Sequence, residues 1–229
     1  MITRFVADLY PPISRARLER YRSGDGSDLD MVINYLWNSA LGEALYCSLS
    51  AVEVTLRNTL HDTLTNHFGT STWYDLRLLD YEQTNHVARA KAAVRGYGRQ
   101  VTPGRVVSEL TFGFWVTILS RNYDSRLWRG VQGAPLKTAF PRIPKRLRQR
   151  GTIHQRYNDI RKLRNRVFHF EPIWDRPYLL AEHQAIYEAI AWISPPMRDA
   201  IALVDRFPIV YQNERGRIEP MLREHLKIT

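Results

Sequence analysis

Between residues 32 and 68 the chain carries Leu41, Leu45, Leu49, Val52, Leu56, Leu60 and Leu64, a stripe at steps of three and four. That spacing holds one side of a 3.6-residue helix apolar for about six turns. The segment is therefore one long amphipathic helix, or two nearly collinear ones, and whatever fold forms must cover the stripe along its whole length. Ser27 or Asp28, in "SDLD", can cap its start, and Gly69 in "HFGTSTW" stops it. No strand-like alternation persists for more than a few residues, which makes the chain all-α.

The remaining segments extend the same pattern. "ISRARLERYR", residues 13 to 22, reads as a short helix ended by the Gly24 and Gly26 turn, and residues 81 to 95 read as a helix closed by "GYG". Pro103 and Gly104 restart the chain, and the apolar period of "RVVSELTFGFWVTILSRNY" marks a helix despite Gly113. A Gly and Pro loop is expected around 130 to 144, and a helix from about 145 to 170, ended by Pro172 because the residue before a proline is pushed toward extended geometry. "YLLAEHQAIYEAIAWI" is a further helix. Ser194 then caps another beginning at Pro195, and "RIEPMLREHL" forms a last short one. At least six helices with short connections make a helical bundle. The expected organisation is one domain over 1–229, with a core of about 27–193 and a helical extension over 194–229.

Composition narrows the function. Of 229 residues 44% are hydrophobic, enough for a sizeable core, and no run of about 18 apolar residues forms a membrane span. The first residues lack the form of a signal peptide, so a cytoplasmic, membrane-free protein is expected. One cysteine, Cys47, excludes an intrachain disulfide, and its surroundings "ALYCSLSAV" read as helix core with an inert buried thiol. "GYGR" and "PGR" lack the spacing of a phosphate-binding loop, so no nucleotide-driven activity and no cofactor is expected. Lys and Arg number 33 against 23 Asp and Glu, a net charge of +10. The excess is concentrated, because residues 137–166 hold eleven Lys and Arg against the single Asp159. An uneven cationic field attracts polyanions such as RNA, and the alternative is a solvated surface.

"RNRVFHF", residues 164–170, closes this basic half. On a helix Arg161 and Arg164 share a face, as do Asn165 and His169. Arg164 and His169 are five residues apart, about 140° around a regular helix, and converge only through the reach of arginine or distortion at the helix end. Imidazole can carry protons near neutral pH and guanidinium can hold a phosphate, so the set suffices in principle for RNA cleavage by its own 2′-hydroxyl. The bland alternative is a polar helix end in which His169 caps carbonyls and Arg164 makes a core salt bridge.

The R-x4-H spacing from Arg164 to His169, with Asn165 after the arginine and "EP" past the histidine, resembles the signature of the HEPN superfamily. Within it, "RNRVFHFEPIW" is similar to the Abi-like proteins of bacterial abortive infection. The resemblance extends to "ISRARLERY", "YLWNSALGEALYCSLSAVEVTLRNTLHDTLTNHFG" and "WYD", spanning most of residues 13 to 180. It implies a helical bundle that dimerises so that two R-x4-H helices share one cleft, and metal-independent endoribonuclease activity. Arg164 would polarise the scissile phosphate, His169 act as general base or acid, and Asn165 orient either; Arg161 and Arg166 are further candidates to bind or orient the substrate. It also implies a growth-arresting toxin or phage-defence effector, with an antitoxin or phage-derived trigger as partner. Phe170 departs from the pattern, since many relatives carry a second histidine there.

Glu53, Arg57 and Asn58 lie either on a helix-surface ion pair or, by the resemblance, near the active cleft as orienting groups. Lys145 and Arg146, with Arg148, Arg150 and Arg156, are expected to lead along the motif helix as an RNA track, or to be a solvated face. His61, Asp62 and His67 have the wrong spacing for a metal, and no metal site is expected. Trp73, Tyr74, Trp115, Trp128 and Trp174 are expected mostly in the core. Two rivals to the ribonuclease remain: a catalytically silent RNA-binding or regulatory module, and a target of nucleotidylation at a tyrosine near the motif.

Overall fold

A computed structural model of the chain describes residues 1–129 and 134–227. Those residues are all-α, with no strand among them. Twelve α-helices follow one another: α1 (Ile2–Ile13), α2 (Arg15–Leu18), α3 (Asp28–Phe68), α4 (Tyr81–Gly96), α5 (Pro103–Glu109), α6 (Phe112–Thr117), α7 (Ala134–Ala139), α8 (Arg150–Phe168), α9 (Leu179–Ile193), α10 (Pro195–Ala202), α11 (Phe207–Ile209) and α12 (Arg215–Leu226). None is long and apolar enough to cross a membrane.

The long stripe forms a single helix. Ser27 Oγ accepts from the Asp30 N–H at 3.1 Å and donates to the Asp30 carboxylate at 2.7 Å, satisfying an orphan donor of the first turn. Gly69 takes φ 70° after the last turn, a conformation glycine adopts without strain. All seven stripe side chains are at most 1% exposed.

Several segments depart from the sequence expectation, each for a local reason. α1 is a helix the sequence reading did not include; it accommodates Pro11 and Pro12 at its end, and Ile2, Phe5, Val6, Leu9 and Ile13 line one side that packs in the core. Ser14, at φ 72°, breaks the chain, and its Oγ accepts from the Arg17 N–H at 3.3 Å. The expected helix over 13–22 is thus the short α2 followed by a 3-10 turn, Glu19–Tyr21. The helix expected over "RVVSELTFGFWVTILSRNY" is divided into α5 and α6, since Leu110 is extended and Thr111 caps a new start by accepting from the Phe114 N–H at 3.3 Å. The helix expected from 145 begins at Arg150 instead. Lys145–Leu147 form a 3-10 turn opened by Pro144, and Arg148 leaves helical geometry while its guanidinium donates to the Ile143 carbonyl at 3.1 Å. The loop expected around 130 to 144 contains α7, and its residues 130–133 lie outside the described residues.

The chain divides into two compact units, one of residues 1–48, 163–184 and 203–229, the other of 49–162 and 185–202. In the first, Val6, Leu18, Tyr21, Met31, Val32, Ile33, Leu222 and Leu226 form one core cluster. Polar side chains of α3 fasten its surroundings. Asn34 donates to the Tyr21 carbonyl at 3.0 Å and accepts from Arg215 at 3.1 Å. Asn38 donates to the Tyr21 hydroxyl at 3.3 Å and accepts the backbone N–H groups of Ile173 and Trp174 at 2.6 and 3.2 Å. These two contacts fix the strand of chain that follows the R-x4-H turn.

In the second unit Trp73 and Trp115 meet edge-on at 6.3 Å, and Trp73 donates to His61 Nδ1 at 3.2 Å. Trp73, Tyr74, Trp115 and Trp128 are buried as expected, and Trp174, which belongs to the first unit, is half-buried. Tyr157 on α8 donates to the Ala189 carbonyl on α9 at 2.9 Å, locking those helices together.

Candidate functional site

Helix α8 remains regular through Phe168, and its end follows a defined geometry. The His169 N–H donates to the Asn165 carbonyl at 2.8 Å, that of Phe170 to Val167 at 3.0 Å, and that of Glu171 to Arg166 at 2.8 Å. With Phe170 left-handed at φ 55°, these are the bonds of a Schellman turn, and Phe170 holds the position glycine usually occupies. His169 is the residue directly after the helix, as the proline at 172 suggests. Its side chain is exposed, and among the described residues no hydrogen bond or ion pair engages the imidazole.

The capping of the last carbonyls falls to another residue. Arg17 of α2 donates to the Phe170 carbonyl at 2.9 Å and the His169 carbonyl at 3.4 Å, so the histidine is not the cap. Arg164 lies over the Phe168 ring, its guanidinium carbon 4.4 Å from the centroid, an i to i+4 contact on a regular helix. It therefore leaves the helix about 140° from His169. The backbone is helical through Phe168, and the Schellman turn begins after it. Arg166 pairs with Glu171 at 3.3 Å, joining the helix to the turn that follows it.

The expected site residues fall in both units. Arg164, Asn165, Arg166 and His169 belong to the first, and Glu53, Arg57, Asn58, Lys145, Arg146 and Arg161 to the second. In the second unit Arg161 donates twice to Asn158 Oδ1, at 2.8 and 3.2 Å, and Arg57 meets Asn58 Oδ1 at 3.4 Å. Lys145 and Arg146 are exposed. The basic track expected on one helix is interrupted and partly neutralised: Arg148 bonds a carbonyl, Arg150 pairs with Asp124 at 3.3 Å, and Arg156 pairs with Glu188 at 2.6 Å over the Trp192 ring. Among the described residues no cluster of three His, Cys, Asp or Glu side chains is arranged to hold a metal ion.

A cavity of about 800 Å³ in the first unit escaped sequence reasoning. Val167, Phe168, Phe170 and Glu171 form part of its wall, so it adjoins the motif turn, and Cys47 lines it half-buried instead of lying inert in the core. The available signal was the row Tyr35, Ser39, Gly42 and Tyr46, one face of α3 away from the leucine stripe.

No known family model, no curated protein and no solved structure matches this chain. The likeness to HEPN proteins therefore rests on the residues quoted above.

Proposed function

We propose that the protein is a HEPN-type, Abi-like endoribonuclease that works without metal, as a homodimer, in phage defence or growth arrest. The observation that carries this is the exposed His169 imidazole at the end of a basic helix, engaged by no structural bond among the described residues. The imidazole makes no capping bond at the helix end, where Arg17 holds the His169 and Phe170 carbonyls. The 2′-hydroxyl attacks the adjacent phosphorus, losing its proton to His169. The P–O5′ bond breaks, and O5′ takes a proton from the histidine of a second copy, leaving a 2′,3′-cyclic phosphate and a 5′-hydroxyl. Arg164 swings from the Phe168 ring to meet the charge that builds on the phosphorane oxygens, and Asn165 orients the imidazole. An antitoxin restrains the activity or a phage-derived trigger releases it.

The test is incubation of the purified protein with tRNA, rRNA and mRNA in EDTA. Cleavage that falls at least a hundredfold in His169→Ala and in Arg164→Ala is the expected result, given the usual weight of one acid-base group. Equal cleavage by the variants, or strict dependence on Mg²⁺, would sink the proposal.

The packing of Arg164 on Phe168 favours one alternative, a catalytically silent module that binds RNA or regulates a partner. It would give salt-sensitive RNA binding that survives His169→Ala, with no cleavage by the wild type.

A further inference from the structure

Two residues in the cavity wall are ones the fold alone would not select. Gly42 sits inside α3, where glycine is a poor helix former. A methyl there would meet only Val167 Cγ1, at 3.8 Å, an ordinary contact, so packing does not demand glycine. Phe170 is the reverse case. It occupies a left-handed turn position suited to glycine and leaves its ring 72% exposed. Both choices serve the cavity, one keeping the floor of α3 low and the other supplying an aromatic wall, and departures from local rules of this kind gather at functional sites.

The lining indicates the occupant. Tyr35, Tyr46, Phe168 and Phe170 offer ring surfaces, with Tyr46 and Phe168 at 6.0 Å between centroids. Glu43 is matched by Arg206 at 3.1 Å and Glu171 by Arg166 at 3.3 Å. Arg17 also lines the cavity, and its hydrogen bonds go to neutral carbonyls, with no carboxylate partner among the described residues. With Glu43 and Glu171 both paired, Arg17 is the lining cation left to meet an anion beside the aromatic rings, which suits a flat ring bearing an anionic group. We infer that the cavity binds a nucleotide unit, its base against Phe170 and Phe168 and its phosphate at Arg17. The unit comes either as a free mononucleotide or as an unstacked residue of an RNA strand. Only the RNA source rests on the ribonuclease proposal, and the cavity chemistry stands without it.

Cys47, the chain's single cysteine, lines the cavity and serves as a reporter. The experiment titrates full-length protein calorimetrically with AMP, GMP, CMP, UMP, adenosine, inorganic phosphate and short single-stranded RNA, and follows N-ethylmaleimide modification of Cys47 in parallel. Binding that slows modification tenfold or more, weakens at least tenfold in Gly42→Leu and weakens in Phe170→Gly is expected. Gly42→Ala melts no lower than wild type, which checks that the position tolerates a side chain. Should Gly42→Leu fail to fold, Phe170→Gly and the protection of Cys47 decide. Protection by mononucleotides identifies a free nucleotide, and protection by RNA alone identifies a base of the strand. Binding that survives in His169→Ala separates this site from the catalytic proposal, because cleavage can fail while binding holds. Absence of binding, protection by inorganic phosphate equal to that by nucleotides, or binding that leaves Cys47 and Gly42→Leu unaffected would overturn the inference.

Discussion

At Phe170 the backbone stands at φ 55°, where a side chain bearing a Cβ is strained by roughly 1–2 kcal/mol relative to glycine. Phe170→Gly relieves the strain but frees the unfolded chain, so the variant should be more stable by up to about 1 kcal/mol, seen as a higher urea midpoint at unchanged slope. A lower midpoint would mean that the ring makes stabilising contacts outweighing its strain. The position of His169 at a helix end was legible from Pro172, whereas the start of that helix, expected at about 145, was not. Two neighbours were not legible either. A left-handed phenylalanine carries no sequence signal, and Asn38 reads as an ordinary polar helix residue until its partner Ile173, 135 positions away, is in place. Cys47 misled for a similar reason: its apolar surroundings are the helix core, while the residue itself faces the cavity.

Among the elements, α3, α4, α9 and α10 follow the apolar period and the caps that the sequence displays, Ser194 accepting from the Met197 N–H at 3.3 Å as expected of a cap. The breaks are set by competition that periodicity does not register. Thr111 satisfies a new helix start in the middle of an apolar run, and the arginine at 148 bonds a carbonyl where a helix would have continued. The same competition divides the basic stretch. Arg150 and Arg156 are held by acids and an aromatic ring, whereas Lys145 and Arg146 are exposed on their own turn. Lys145→Gln with Arg146→Gln should weaken RNA binding and reduce its dependence on log salt by about one unit per lost phosphate contact. Filter binding across a salt series checks this, and an unchanged slope would assign those cations to the solvated surface.

For the whole molecule, the apolar period foretold an all-α chain and composition its cationic excess, but neither pointed to a division into two units. The boundaries fall within α3, α8 and α9 and after α10, so no linker or change of composition announces them. Stability should depend on pH through three histidines. Burial lowers the pKa of His183, against the opposing pull of Asp205 at 3.0 Å, and burial also lowers those of His61 and His154. Each folded pKa lies below the unfolded value of about 6.5, so the unfolded chain holds more protons and stability declines as pH falls below that point. Urea midpoints should be level with respect to these groups above about pH 7 and fall toward pH 5, with a shallower fall in His183→Gln. A midpoint that rises on acidification would reverse the sign.

The chemistry of any RNA ends formed in EDTA bears most directly on the catalysis proposed for Arg164 and His169. Ends released by wild type should be 2′,3′-cyclic phosphate and 5′-hydroxyl, should not form when the scissile nucleotide is 2′-deoxy, and should vanish in His169→Ala. Ends bearing 5′-phosphate and 3′-hydroxyl, or the same products from His169→Ala, would contradict it.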